Sequence, residues 1–231
     1  VTDTVIIAPQ FNGPPETGQG GYVAGLIAQA LDVAAAEVTL RAPAPLGHEL
    51  RVERDEDYAA LYDGEHLIAE GGPASPQIER PEPVGFDEAL AVRKQHPYFQ
   101  DHPYPTCFGC GPKRREGDGL CIYPGRLADR DAVAAPWMPH LAFADADGLV
   151  RPEVVWAAID CPSAFALGDE ALGLLGRFTG ELRAPVEAGR PHVLVGWPLG
   201  GERRKRYSGC ALFDDNGALL AISSAVWIAP P

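Results

Sequence analysis

The chain has 231 residues, 46% hydrophobic and 22% charged, enough to bury one large core or two small ones without disulfide or metal support. Its formal charge of −13 argues against nucleic acid as a partner, because duplex binding needs a broad basic face. No apolar run approaches the ~18 residues of a membrane span, Val1-Thr2-Asp3 lacks a basic signal-like start, and five cysteines form an odd set unlike a secreted disulfide framework, so the expected setting is a reducing cytoplasm with no membrane partner.

In chain order, a short strand is expected at Thr4–Ala8. It leads to a helix at Gly20–Leu31 that is apolar almost all round, the mark of a buried helix. Short, partly alternating runs at Glu37–Ala42, Glu49–Arg54, Tyr58–Tyr62 and His66–Glu70 read as strands, with Asp63-Gly64 as a hairpin turn. Gly71 to Gly119, rich in Pro, His and charge, reads as a connector with one short helix at Phe86–Lys94. A strand at Leu120–Tyr123 is expected ahead of a second apolar helix, Pro152–Leu167, which Pro162 kinks or ends. Strands at Gly176–Ala184, His192–Trp197, Lys205–Phe213 and Leu219–Ile228 complete the chain, with Asn216-Gly217 as a turn.

Two anchors recur in the same order. Leu40-Arg41-Ala42-Pro43 returns as Leu182-Arg183-Ala184-Pro185, and Ala60-Leu61-Tyr62-Asp63-Gly64 is echoed by Ala211-Leu212-Phe213-Asp214-Asp215-Asn216-Gly217. The chain therefore reads as a duplicated α+β unit. A single apolar helix ahead of an antiparallel meander is hidden most simply by a sheet that curves around it. The expected organisation is a first repeat over 1–72, a connector over 73–118 and a second repeat over 119–231.

This pattern resembles the hotdog fold in its single-chain double form, within the acyl-CoA thioesterase superfamily. Small hotdog thioesterases of the phenylacetate-pathway type open their helix with two glycines and carry an acid two turns later. Here Gln19-Gly20-Gly21-Tyr22 supplies the glycines, but Ala28 stands where the acid belongs. Pro152-Glu153 lacks the glycines, but Asp160 supplies the acid. The resemblance thus implies one complete composite site, Gly20 and Gly21 with Asp160, and a decayed twin, Glu153 with Ala28. Its implied chemistry is hydrolysis of an acyl-CoA or acyl-carrier thioester without a cofactor. Helix-start amides would hold the oxyanion, and Asp160 would be nucleophile or general base. Gln19 and Tyr22 would flank the carbonyl, and Asn12 would contact substrate or water.

Without the resemblance, Gly20-Gly21 equally marks a tight helix start; a carboxylate in an apolar helix is less often bland, but Asp160 could cap Ser163 or another nearby backbone group, or pair with an arginine such as Arg177. The alternative function is a non-catalytic acyl-CoA-binding protein. It draws on a departure from the bacterial type II double hotdogs, whose auxiliary hydroxyl and Gln positions fall here near Leu175 and Ala225. Members of the superfamily commonly associate further, which is compatible with a homodimer of double hotdogs.

Two other motifs stand out. Arg203-Arg204-Lys205-Arg206 reads either as a coenzyme A phosphate clamp through Arg203 and Arg206, or as charge that protects a strand edge. Cys107-Phe108-Gly109-Cys110, with His102 before it and Cys121 after, is one pair plus scattered partners. Four such ligands could hold a structural zinc, or the pair could do redox chemistry, but packing or turn roles are expected there, with no metal; Cys161 could be a nucleophile, but it is expected to be a small buried residue.

Overall fold

The computed structural model describes residues 2–97, 99, 101–168 and 173–230. Its first half runs β1 (Thr2–Ile6), α1 (Gly20–Leu31), β2 (Ala35–Leu40), β3 (Glu49–Arg54), β4 (Ala59–Asp63) and β5 (His66–Pro73). Helix α2 (Phe86–Arg93) and the short β6 (Gly125–Arg126) follow. The second half runs β7 (Val133–Trp137), α3 (Pro152–Ala158), α4 (Cys161–Phe165), β8 (Leu174–Leu182), β9 (His192–Glu202), β10 (Lys205–Asp214) and β11 (Leu219–Ile228).

All the strands join one antiparallel sheet in the order β1-β3-β4-β5-β2-β8-β11-β10-β9-β7-β6. The halves meet at β2 and β8, where Val38 pairs with Phe178 and Ala36 with Gly180. Reading outward from this seam, the first half runs β2-β5-β4-β3-β1 and the second β8-β11-β10-β9-β7, the same connectivity. The recurring Leu-Arg-Ala-Pro anchors occupy matching places. Arg41 and Ala42 N–H donate to Ile68 O at 2.8 and 3.2 Å, and Arg183 and Ala184 N–H donate to Leu220 O at 2.8 and 3.2 Å. Just ahead of the helices, Gly18 N–H donates to Ala44 O and Val150 N–H to Val186 O, both at 2.8 Å.

Helices α1 and α3 lie against each other inside the sheet. An added Cβ on Gly21 would stand 2.6 Å from Trp156 O, and one on Gly25 would stand 2.7 Å from Glu153 Cα. Advancing along α1 therefore means retreating along α3, so the helices are antiparallel and nearly in backbone contact. Around them Ile27, Leu61, Trp156, Phe178, Leu194 and Leu212 form part of the main core. The alternate residues Val193, Val195, Ala211 and Phe213 point to the opposite face, where Val84 and Ala89 of the connector cover them. Burial on both faces explains why these strands are apolar runs rather than clean alternations.

One expected element needs correction, and one expected helix break is found. Leu120–Tyr123 is not a strand. Cys121 has φ +55°, and the segment bonds instead to the loop before it, with Leu120 N–H on Phe108 O at 2.8 Å and Ile122 N–H on Gly109 O at 3.0 Å. The strand ahead of the second helix is β7, which Pro136 disguises. Neighbouring β6 pairs only with Val133 and Ala134, so one side of β7 at Pro136 is free of the ladder and tolerates a missing N–H. The second helix is not continuous. It ends at Ala158 and restarts at Cys161, because Pro162 has no N–H to continue the α-helical ladder. That interruption leaves Asp160 between the two pieces.

Candidate functional site

Asp160 is buried at the α3–α4 break and reaches the start of α1. Its Oδ2 accepts the Gly21 N–H at 2.9 Å and the Gln19 Nε2 donor. Gln19 cannot turn freely. Its Oε1 caps α1 by accepting Tyr22 N–H at 2.6 Å, which orients Nε2 toward Asp160 and toward Ala157 O at 3.3 Å. Asp160 Oδ1 is buried with no hydrogen-bond partner among the described residues. Burial raises the carboxyl pKa to about 7, against the Gly21 amide and Gln19, which favour the anion; the Cys107 sulfur adds to the rise.

Gly21 is tightly constrained, since a Cβ there would also stand 2.6 Å from Asp160 Cβ. The absence of a side chain is what lets the acid reach the α1 amide. That amide is occupied by Asp160. Of the two glycine amides expected to face an oxyanion, Gly20 makes no hydrogen bond outside its own helix among the described residues. Gly20 lies beside Leu40 and Leu175, side chains from the two strands that form the seam.

The other expected residues divide. Tyr22 stacks on Phe11 at 4.2 Å and meets Phe108 edge-on, and burial raises its hydroxyl pKa, with the Glu153 charge adding to the rise. Asn12 is committed to the scaffold: Nδ2 donates to Gly13 O and Thr106 Oγ1, Oδ1 accepts from Arg114, and its carbonyl accepts Phe108 N–H at 2.7 Å. Arg203 sits in the β9–β10 turn, and Arg206 donates to Arg203 O at 2.7 Å. In the sheet, Arg206 pairs with Trp227, which pairs with Leu175. Arg206 is thus two strands, ~10 Å, from the leucine beside Gly20, on the same face. Glu153, expected in a decayed twin site, accepts from Gln29 on Oε2 at 2.7 Å and has Arg151 Nε 3.5 Å from Oε1.

The surroundings of Asp160 hold more than those residues. Cys107, Cys110 and Cys161 cluster next to it, and Cys210 is near enough for the acid to raise its thiol pKa on top of burial. Only Cys107 and Cys110 were marked as a pair by spacing; the third member comes from 51 positions on, across the fold. Ser163 holds the break by donating to Asp160 O at 2.7 Å while accepting Trp227 Nε1 at 3.1 Å. Its place beside Pro162 could have suggested that role.

No family model matches the chain, and no curated protein matches it. Solved structures do. A candidate thioesterase II from Thermobifida fusca YX superposes with a TM-score of 0.66 at 15% identity, covering 100% of this chain and 94% of that one. The tesB protein of Mycobacterium avium subs paratuberculosis gives 0.63 at 11% identity, covering 100% and 93%. A protein of unknown function with a hot dog fold from Alicyclobacillus acidocaldarius gives 0.59 at 11% identity, again covering 100% and 93%. With its antiparallel sheet wrapped around buried helices, and with matches that span its full length, this chain has the hotdog fold.

Proposed function

We propose that the chain is a single-chain double hotdog that hydrolyses acyl thioesters, acyl-CoA or acyl-carrier, at one composite site. Its repeats span 1–72 and 119–231, with the connector at 73–118. The matched connectivity on either side of the β2–β8 seam supports the duplication. The observation that carries the activity is the contact between the α1 start of one repeat and the buried carboxylate of the other, Gly21 N–H to Asp160 at 2.9 Å. Gln19 and Gly21 hold Oδ2 and leave Oδ1 to take a proton from attacking water. The Gly20 amide and the positive end of α1 receive the charge that develops on the thioester oxygen. A carboxyl shifted upward by burial is a stronger base than an exposed one, which suits this role.

The test is a panel of short-chain, aromatic and long-chain acyl-CoAs with detection of free thiol. Saturable release on at least one member supports hydrolysis. One observation favours a second reading, that of a non-catalytic acyl-CoA binder. Asp160 is only 3% exposed, and neither of two clefts of about 310 Å³ is lined by it. Saturable acyl-CoA binding without thiol release across the panel selects that reading.

The basic hairpin provides a prediction on substrate class. Replacing Arg203 and Arg206 together by Ala is expected to raise KM for CoA esters several-fold more than for pantetheine esters, which lack the nucleotide phosphates. Equal changes for both would assign the hairpin to edge protection instead.

A further inference from the structure

The cysteines beside Asp160 take no part in the chemistry above, yet their arrangement is specific. Cys107 and Cys110 close a four-residue loop, and Cys161 opens α4. Their sulfurs lie within 4.8 Å of one another, all three side chains are buried, and none is in a disulfide. A tetrahedral zinc ion with Zn–S bonds of ~2.3 Å sets its sulfurs ~3.8 Å apart, so this trio needs little adjustment to hold one.

The backbone is shaped to the cluster. A Cβ on Gly109 would stand 2.5 Å from Cys161 Sγ, so only glycine admits that sulfur to the loop. A Cβ on Gly111 would stand 2.5 Å from Cys107 N, and its N–H closes the loop on Cys107 O at 2.9 Å. The Cys107 thiol pKa is drawn well down, first by the Cys110 and Cys161 side chains and then by the N–H groups of Cys110 and Gly109. Cys110 and Cys161 are pushed well up, first by the hydrogen bonds their thiols make to Cys107 and then by burial. A divalent ion bound there would hold all three as thiolates, with the thiol protons passing to solvent.

The cluster also sits in a stretch of irregular backbone. Between the end of α2 and β6, the described residues form no helix or strand. This stretch is held to the body through such contacts as Phe108 N–H on Asn12 O and Arg114 on Asn12 Oδ1. We propose that Cys107, Cys110 and Cys161 bind one zinc ion, which fastens the connector to the first turn of α4. The remaining position of the ion is left to a solvent-derived ligand. His102 does not fill it in its neutral form, because Nδ1 accepts Tyr104 N–H at 2.9 Å, which keeps the ring proton on Nε2. Cys121 lies outside the trio. This inference stands apart from the hydrolase reading, since a chain that only binds thioesters would hold the same ion.

The test uses the full chain, purified without chelator or metal-affinity resin, and reads metal rather than turnover. Elemental analysis is expected to find about one zinc per chain, and cobalt exchange to give intense thiolate-to-cobalt charge-transfer absorption. Cys107→Ser, Cys110→Ser and Cys161→Ser should each lose most of the metal, whereas Cys121→Ser should keep it. Should a cluster variant fail to fold, titrating the wild type with a mercurial thiol reagent keeps the question decidable, with stoichiometric zinc release to a chromogenic chelator as the supporting result. Wild type that holds less than ~0.1 zinc per chain and gives no cobalt charge-transfer band overturns the proposal. So does an intact mass showing a disulfide within the trio, or a Cys121→Ser variant as depleted as the other three.

Discussion

Asp160→Asn is expected to lower thioester hydrolysis at least ~100-fold while leaving the fold intact, a loss on the scale of a removed general base or nucleophile. The substitution is well suited to separate chemistry from architecture. An Asn carbonyl oxygen accepts from Gly21 N–H and Gln19 Nε2 as Oδ2 does, so the tie between α3 and α1 survives. The new NH2 replaces Oδ1, an atom already without a partner, at a cost on the order of 1–3 kcal/mol. The loss should therefore fall on kcat, with KM little changed. A raised KM with wild-type kcat would make Asp160 a binding group, and wild-type turnover would remove it from the mechanism. Glu153→Gln is the paired control. Glu153 belongs to the proposed decayed twin site and is already held by Gln29 and Arg151, so turnover is expected to stay near wild type. A large loss there would move the working site to the other half.

Much of this arrangement was legible in the sequence, for identifiable reasons. Helix α1 has the expected bounds because its run is apolar almost all round. The bounds of β3 and β11 also agree, since each is a short run set off by turn residues. The meeting of Gly21 and Asp160 could be anticipated because each repeat carries one part of a two-part motif. What could not be read were contacts made by irregular backbone. Leu120–Tyr123 has strand composition, but its hydrogen bonds go to the cysteine loop, a partner that no periodicity announces. The polar groups of Asn12 in a Gly-Pro turn suggest a ligand, whereas the fold uses them to anchor that same loop. Cys161 looked like a lone small residue until the α3–α4 break brought it to Cys107 and Cys110.

Gly21→Ala is expected to be the most costly single methyl added at the α1 start, and its neighbour shows why. At Gly20 the new Cβ meets Leu175 Cδ2 at 2.9 Å and Leu40 Cδ1 at 3.2 Å, the ends of side chains that can turn away. At Gly21 it meets Trp156 O and Asp160 Cβ, each at 2.6 Å, and Ala157 Cα at 3.2 Å. Those atoms belong to the α3 backbone or are bonded directly to it, so relief requires the two helices to separate. Overpacking of this kind costs about 1–3 kcal/mol, and here the separation also pulls Asp160 away from the Gly21 amide. Chemical denaturation should show Gly21→Ala losing at least about 1 kcal/mol more than Gly20→Ala. Gly25→Ala should resemble Gly21→Ala, because its Cβ would meet Glu153 Cα at 2.7 Å on the same helix face. Equal stability of the Gly20 and Gly21 variants would mean that α1 and α3 are not in backbone contact. The carboxylate would then have no fixed path to the helix start on which both the proposed base and its oxyanion partner depend.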